Sequence, residues 1–172
     1  MTTAEYEMAR DIKWEREFGQ RMHRFARIRP PRAGQIPISI KVRVTGGCFH
    51  REDSPQAYKI IDRRLAKMAL DEVGLEEHES GPELLVLVSI ASAAVSIAAS
   101  VVSIIATIVK ARSEGIQKGD WPSEPLELII RRIDEGESVK EEIVLRIGHD
   151  ERLDEEMLEQ KLSKALSHLV KK

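Results

Sequence analysis

The chain has 172 residues, a net charge of −2, 33% charged and 42% hydrophobic residues, and only 4% aromatics. That excludes a disordered composition, and the near-neutral balance excludes a global field that would select a polyanion, so nucleic acid is not an expected partner. Cys48 is the only cysteine and asparagine is absent, which rules out an intrachain disulfide and an N-glycosylation acceptor.

The N-terminus is charged (Glu5, Glu7, Arg10, Asp11, Lys13) and leads to no apolar run, so it reads as neither a signal nor a transit peptide. Residues 4–28 predict a helix, with Met8, Ile12, Phe18, Met22, Phe25 and Ile28 at roughly helical spacing; Pro30 and Pro31 end it. Arg21, Arg24, Arg27, Arg29 and Arg32 lie in an acid-free stretch of this region. They suit contact with phosphate, anionic lipid head groups or nucleic acid, or simply form a solvated helix face that pairs with Glu15, Glu17 or the acidic linker. Ile36, Ile38, Ile40, Val42 and Val44 then alternate with polar residues as a half-buried strand, stopped by Gly46-Gly47. Ser54-Pro55 opens a second helix, with Ser54 as N-cap. Its apolar face holds Tyr58, Ile61, Leu65, Met68 and Ala69, and Gly74 is the natural stop.

After an acidic linker (Glu76, Glu77, Glu79) and Gly81-Pro82 comes the most unusual stretch. Residues 84–109 hold no charge, no glycine and no proline over 26 positions. As a helix they would span about 39 Å, against about 30 Å of bilayer hydrocarbon. Ser89, Ser92, Ser96, Ser100, Ser103 and Thr107 would fall within an arc of about 80° of that helix, bordered by Ala93 and Ala99. Small hydroxylated residues on one face suit close helix packing in lipid, or the lining of a pore. The other reading is a helix buried in a soluble bundle. Glu76, Glu77, Glu79 and Glu83 before the segment, and Lys110, Arg112 and Lys118 after it, would put the C-terminal part in the cytoplasm by the positive-inside rule. The 15 Lys and Arg of the first 83 residues, with no signal sequence, disfavour exporting the N-terminal part, so the orientation stays open. One argument opposes spanning. The strand at 36–45 needs a sheet partner, and the other clear strands lie beyond the apolar segment.

Residues 110–125 read as a polar linker. Leu126 to Ile133 and Val139 to Ile147 are two strands joined by the loop Asp134 to Ser138. A last helix starts at about Asp154, with Leu158, Leu162, Ala165, Leu166 and Leu169 as its buried stripe and Asp150, Glu151, Asp154, Glu155 and Glu156 at its positive end. Cys48, His50, Glu52 and Asp53 crowd one loop, but one cysteine and no histidine pair at ligand spacing fall short of a structural zinc set. No Gly-rich phosphate loop or nucleophile elbow appears. Catalytic residues, cofactors and metals are therefore not expected.

From about residue 82 onward the order of elements resembles the effector-associated constant component family of prokaryotic conflict systems. A small-residue apolar helix (Leu84 to Val109) leads to a basic exit (Lys110, Arg112), two strands and a short Leu-rich helix (Leu158, Leu162, Leu166). That resemblance implies a non-enzymatic protein accompanying effector and NTPase modules. The family leads one to expect glycine within the apolar segment, where this chain has none, and the N-terminal half has no counterpart.

The expectation is thus an α+β chain in five stretches. These are an amphipathic basic helix (1–33), a strand–helix module (34–80), an apolar transmembrane helix (84–109), a linker (110–125) and a ββα module (126–172). Its expected function is non-enzymatic self-assembly in or against a membrane. Ser89, Ser92, Ala93, Ser96, Ser100, Ser103 and Thr107 would make homotypic contacts or line a pore. The partners would be lipid bilayer, further copies of the chain and an unidentified protein. The expected location is a membrane, with the water-exposed modules on its cytoplasmic side. The alternative is a cytoplasmic homo-oligomeric adaptor whose central helices form a buried bundle.

Overall fold

Alternation along residues 35–44 sets the architecture. On one face Ile38, Ile40, Val42 and Val44 are buried; on the other, Ser39 and Lys41 are buried as well. A strand with both faces covered belongs inside a three-layer arrangement, and the computed structural model of the chain has that form. It describes every residue except Gly46, Ala69, Glu72, Glu79, Ser92, Ala93, Ser123, Glu124 and Lys172. The elements are α1 (Thr3–Ile28), β1 (Gln35–Val44), α2 (Pro55–Leu65), β2 (Gly74–His78), β3 (Gly81–Ala91), β4 (Ala94–Ser96), α3 (Ala99–Gln117), β5 (Leu126–Ile133), β6 (Val139–Ile147) and α4 (Glu155–Lys171).

The strands form one antiparallel sheet in the order β2-β3-β1-β5-β6, with β4 pairing the far end of β3. Helices α2, α3 and α4 cover one face and build the main core with Ile38, Ile40, Leu84, Val86, Leu128 and Ile130. Helix α1 crosses the other face, where Phe18, Met22 and Phe25 meet Leu85. Register decides which side chains share a face. Ile40 stands opposite Leu84 and Ile130 on the core side; Lys41 stands opposite Glu83, and Arg43 opposite Glu127, on the α1 side.

The uncharged stretch 84–109 is not one helix. It supplies most of β3, all of β4 and the first half of α3. Leu84, Val86 and Val88 point into the main core while Leu85 and Leu87 meet α1, so β3 is apolar on both faces. A strand buried on both sides reads as a continuous apolar run, which periodicity alone cannot separate from a buried helix. The β-branched Val86, Val88 and Ile90 favour the strand. Helix α3 continues to Gln117 through Lys110, Arg112 and Glu114, so residues 110–117 are helix rather than linker. Among the described residues no helix is long and apolar enough to cross a membrane. That overturns the transmembrane helix and, with it, the membrane-embedded reading and its pore.

Other boundaries shift for local reasons. Helix α2 ends at Leu65, so Met68 lies beyond it, Ala69 is outside the described residues, and Gly74 opens β2 instead of stopping a helix. Glu76 and Glu77, expected in a linker, lie on β2. Strands β5 and β6 occupy the two runs expected for them, and β1 pairs directly with β5. The strand that needed a partner thus finds it within the chain.

Candidate functional site

Two cavities compete for the role of a binding site, and the state of their cations separates them. The first lies between α1 and the sheet, has about 580 Å³, and is lined by Arg21, Lys41, Arg43, His78, Arg131 and Glu141 among others. Its cations are engaged. Arg21 donates from Nε and Nη2 to the fully buried Glu83 at 3.0 and 3.3 Å, and Ser39 Oγ donates to the same carboxylate at 3.1 Å. Arg43 and Thr45 bond Glu127. Arg131 bonds Glu141 at 2.7 Å beneath the Trp14 ring. Lys41 Nζ donates to the Gly81 carbonyl at 2.7 Å. Burial pushes the Lys41 amine down to about 8, against the pull of Glu83. Burial alone would raise Glu83, but its bond to Arg21 and the charges of Arg21 and Lys41 hold it below the ordinary carboxylate value. This layer is an internally compensated ionic seam that fixes α1 to the sheet.

The second cavity, of about 610 Å³, opens between the C-terminal half of α3, the first residue of β5 and the loop from β6 to α4. Val109, Leu126, Ile147 and Leu153 give it an apolar floor, and Lys110 and Arg152 stand on its exposed rim. Arg112 lies in its wall with only 4% of its surface exposed. Its Nη2 is buried and bonds nothing, and its guanidinium has no ion pair among the described residues. Burial alone lowers its pKa. A buried cation without an acceptor costs several kcal/mol, so this arginine, among the described residues, calls for an anionic partner.

The lining acids do not fill that need. Glu114 pairs with Arg64 at 2.9 Å. Glu151 accepts from the Gly148 amide, Asp154 accepts from the Met157 amide at the start of α4, and Glu155 accepts from Ser103 Oγ. Ser113 Oγ donates to the His149 carbonyl. The back of α3 is held rigidly. A Cβ on Gly115 would come within 2.6 Å of the Ala57 amide nitrogen, so only glycine allows α3 this close to α2. Asp120 then reaches α2, accepting from the Gln56 and Ala57 amides at 3.0 and 2.9 Å. Ser54 precedes α2 as expected but makes no side-chain cap bond; the distant Asp120 supplies the carboxylate.

Most of the residues singled out from the sequence are dispersed, but Arg29, Arg32 and Ser100 line one further cavity of about 660 Å³. Ser89 and Ser96 face each other across the β3–β4 pair, while Ser100, Ser103 and Thr107 are on α3, and Ser92 and Ala93 are outside the described residues. They therefore do not form one helical face. Thr107 Oγ1 bonds back to the Ser103 carbonyl at 2.8 Å. In the arginine group, the half-buried Arg21 pairs with Glu83, Arg24 lies 3.8 Å from Glu76, and Arg29 donates to the Asp71 carbonyl over the Phe25 ring. Arg27 and Arg32 are exposed. Arg112 entered the sequence reading only as a flanking charge. Its one signal was its place four residues after Ile108, on the buried stripe of a helix that ran past its expected end.

Comparison with protein-family models, with curated proteins and with solved structures finds no match for this chain.

Proposed function

We propose that this chain is a non-enzymatic binding module that takes a small organic anion, carboxylate or phosphate, in the cavity beside Arg112. The observation that carries this reading is the buried, unpartnered guanidinium in the wall of a cavity of ligand size. Arginine matches the planar fork of a carboxylate or the oxygens of a phosphate, and the floor of Val109, Leu126, Ile147 and Leu153 favours an apolar body behind the anionic head. Binding is favoured over turnover because the acids around the cavity are already committed to structural bonds, leaving no carboxylate placed as a general base.

The test uses the full chain with benzoate, phenyl phosphate, inorganic phosphate and neutral benzyl alcohol, read by calorimetry and thermal unfolding. The organic anions should bind and raise Tm, and benzyl alcohol should not. Arg112→Met should abolish binding while stabilising the ligand-free protein by about 1–3 kcal/mol, because it removes a buried group without a partner. Anion binding unchanged in Arg112→Met would refute the reading.

A second reading concerns assembly. Residues 3–13, the first turns of α1, are exposed throughout, with Tyr6, Met8 and Ile12 between 61% and 63% exposed. A helical arm of that length is marginal in water by itself. It is a surface through which the chain would join a second copy or an adaptor partner. Deleting residues 1–12 should leave the sheet intact and reduce the mass in solution to a monomer. A monomeric full-length chain would dispose of self-association.

A further inference from the structure

The loop between β1 and α2 serves neither of these readings, and it gathers three different metal-binding groups. Ligand atoms of Cys48, His50 and Asp53 all lie within 4.8 Å of one another. The packing of the loop explains how. Phe49, between two of the three, is fully buried; its amide donates to the Ser80 carbonyl, and its own carbonyl accepts from Tyr58 Oη at 2.8 Å. The amides of Asp53 and Ser54 both close onto the His50 carbonyl, at 3.2 and 2.9 Å, bringing Asp53 back toward the imidazole. The sequence crowds Cys48, His50, Glu52 and Asp53 into one loop; the fold selects Asp53 as the carboxylate that comes within reach of the other two.

The histidine is oriented as a ligand. His50 Nε2 bonds the His78 carbonyl. A carbonyl only accepts, so Nε2 carries the hydrogen, and in the neutral form of the ring the lone pair is at Nδ1. That nitrogen faces Asp53 Oδ2 at 3.9 Å. Two electron-pair donors, with a thiol sulfur in reach, thus converge with no proton assigned between them. A backbone carbonyl on the second ring nitrogen is the usual outer support of a metal-bound imidazole. The nearby cation does not occupy the position, because Arg51 is engaged by Asp62 at 2.6 Å and Glu77 at 3.5 Å.

We propose that Cys48, His50 and Asp53 bind one divalent ion of the zinc class, with a fourth, open position left to water. Sulfur, imidazole nitrogen and carboxylate oxygen together select zinc or cobalt(II) over magnesium or calcium, and three protein ligands leave a tetrahedral ion one exchangeable site. Cys48 and Asp53 are exposed, so their side chains can close by about an ångström onto the short bonds zinc requires. Binding displaces the thiol proton.

Cobalt(II) is the probe, added to the full-length reduced chain. One equivalent should produce a thiolate-to-cobalt charge-transfer band with visible ligand-field bands of tetrahedral intensity, and one equivalent of zinc should erase both. Cys48→Ser should lose the charge-transfer band, and His50→Ala should weaken binding at least tenfold. Asp53→Asn, at an exposed position, keeps the test decisive if His50→Ala fails to fold; it too should weaken binding at least tenfold. Arg112→Met should bind cobalt like the wild type, which separates this site from the anion cavity. No charge-transfer band in the wild-type chain, or an unchanged band in Cys48→Ser or Asp53→Asn, overturns the proposal.

Discussion

The two faces of the sheet are built on opposite principles. Against α2, α3 and α4 the strands present mostly aliphatic side chains, with polar contacts at the end of α4, where Arg132 Nε donates to the Leu169 carbonyl and His168 lies 3.5 Å from Glu142; cohesion there is chiefly burial and packing without direction. Against α1 the same strands present Ser39, Lys41, Arg43, Glu83, Glu127 and Arg131, and three of α1's side chains, Phe18, Met22 and Phe25, supply its buried apolar contact. The contrast shows what each face does. The aliphatic face makes the domain stable, whereas the ionic face gives α1 one position, since each cation must find its own acceptor.

Removing one partner from the seam should have the largest effect. Arg21→Met leaves Glu83 buried without its arginine, with only the Ser39 hydroxyl and the charge of Lys41 to offset its burial, and should lower stability by about 3–5 kcal/mol in urea unfolding. Adding Glu83→Leu should restore most of the loss, because an apolar pair of similar size avoids the desolvation that the ion pair must offset. No rescue in the double variant would mean that α1 is held by something other than this pair. On the aliphatic face, Ile104→Ala should cost about 2–5 kcal/mol through lost burial and a residual cavity, with no second substitution of the polar kind able to rescue it.

Protonation sharpens the comparison further. Lys41 has a folded value of about 8 against an ordinary 10.5. Between those values the unfolded chain binds more protons than the folded one, so stability rises with pH across that window and is flat below it. The full difference is at most about 3 kcal/mol. Burial also raises Tyr58 above its ordinary 10.0, which favours the unfolded chain beyond that pH, so the clean interval is pH 8 to 10. Stability measured by urea unfolding at intervals from pH 7 to 10 should climb in the wild type and stay level in Lys41→Met. A level wild-type curve would mean that the amine is not desolvated.

How much of this was legible depends on which interactions are local. Alternation at Ile36 to Val44 and the helical stripe from Leu158 to Leu169 mark the side chains that face the main core, although Ser39 and Lys41 on the other face of β1 are buried too; these elements, and the strand at Val139 to Ile147, lie close to where the sequence places them. Residues 84–90 carry no such pattern because β3 is covered on both faces, so Leu85 and Leu87 are as apolar as Leu84 and Val86. The serines further misled, since Ser89 and Ser96 are spaced as on a helix yet are cross-strand neighbours. The unmet strand at 36–45 was the better guide, because pairing is obligatory while apolar runs are ambiguous. Arg112 was invisible as a site for the same reason as the Glu83 seam: its meaning lies in what surrounds it in space.

The smallest effect expected is at the start of α2, where a local and a distant explanation can be separated. Ser54-Pro55 has the sequence form of a self-capped helix, but the bonds to the Gln56 and Ala57 amides come from Asp120, 64 and 63 residues away. Removing a cap costs about 0.5–2 kcal/mol, and Asp120 is buried with its charge against the positive end of the helix, which favours the upper part of that range. Asp120→Ala should therefore lower stability by about 1–2 kcal/mol. Asp120→Asn should cost about half as much, since one carbonyl oxygen remains to accept while the charge is gone. Ser54→Ala should cost only a few tenths, because its hydroxyl makes no cap bond. The same substitutions report on the anion cavity, since Asp120 lies beside Gly115 on the helix that carries Arg112. If Asp120 holds α3 in register, Asp120→Ala should weaken anion binding modestly whereas Ser54→Ala leaves it unchanged. Equal losses of stability in Asp120→Ala and Ser54→Ala would return the cap to the sequence neighbour and remove the link between the two helices.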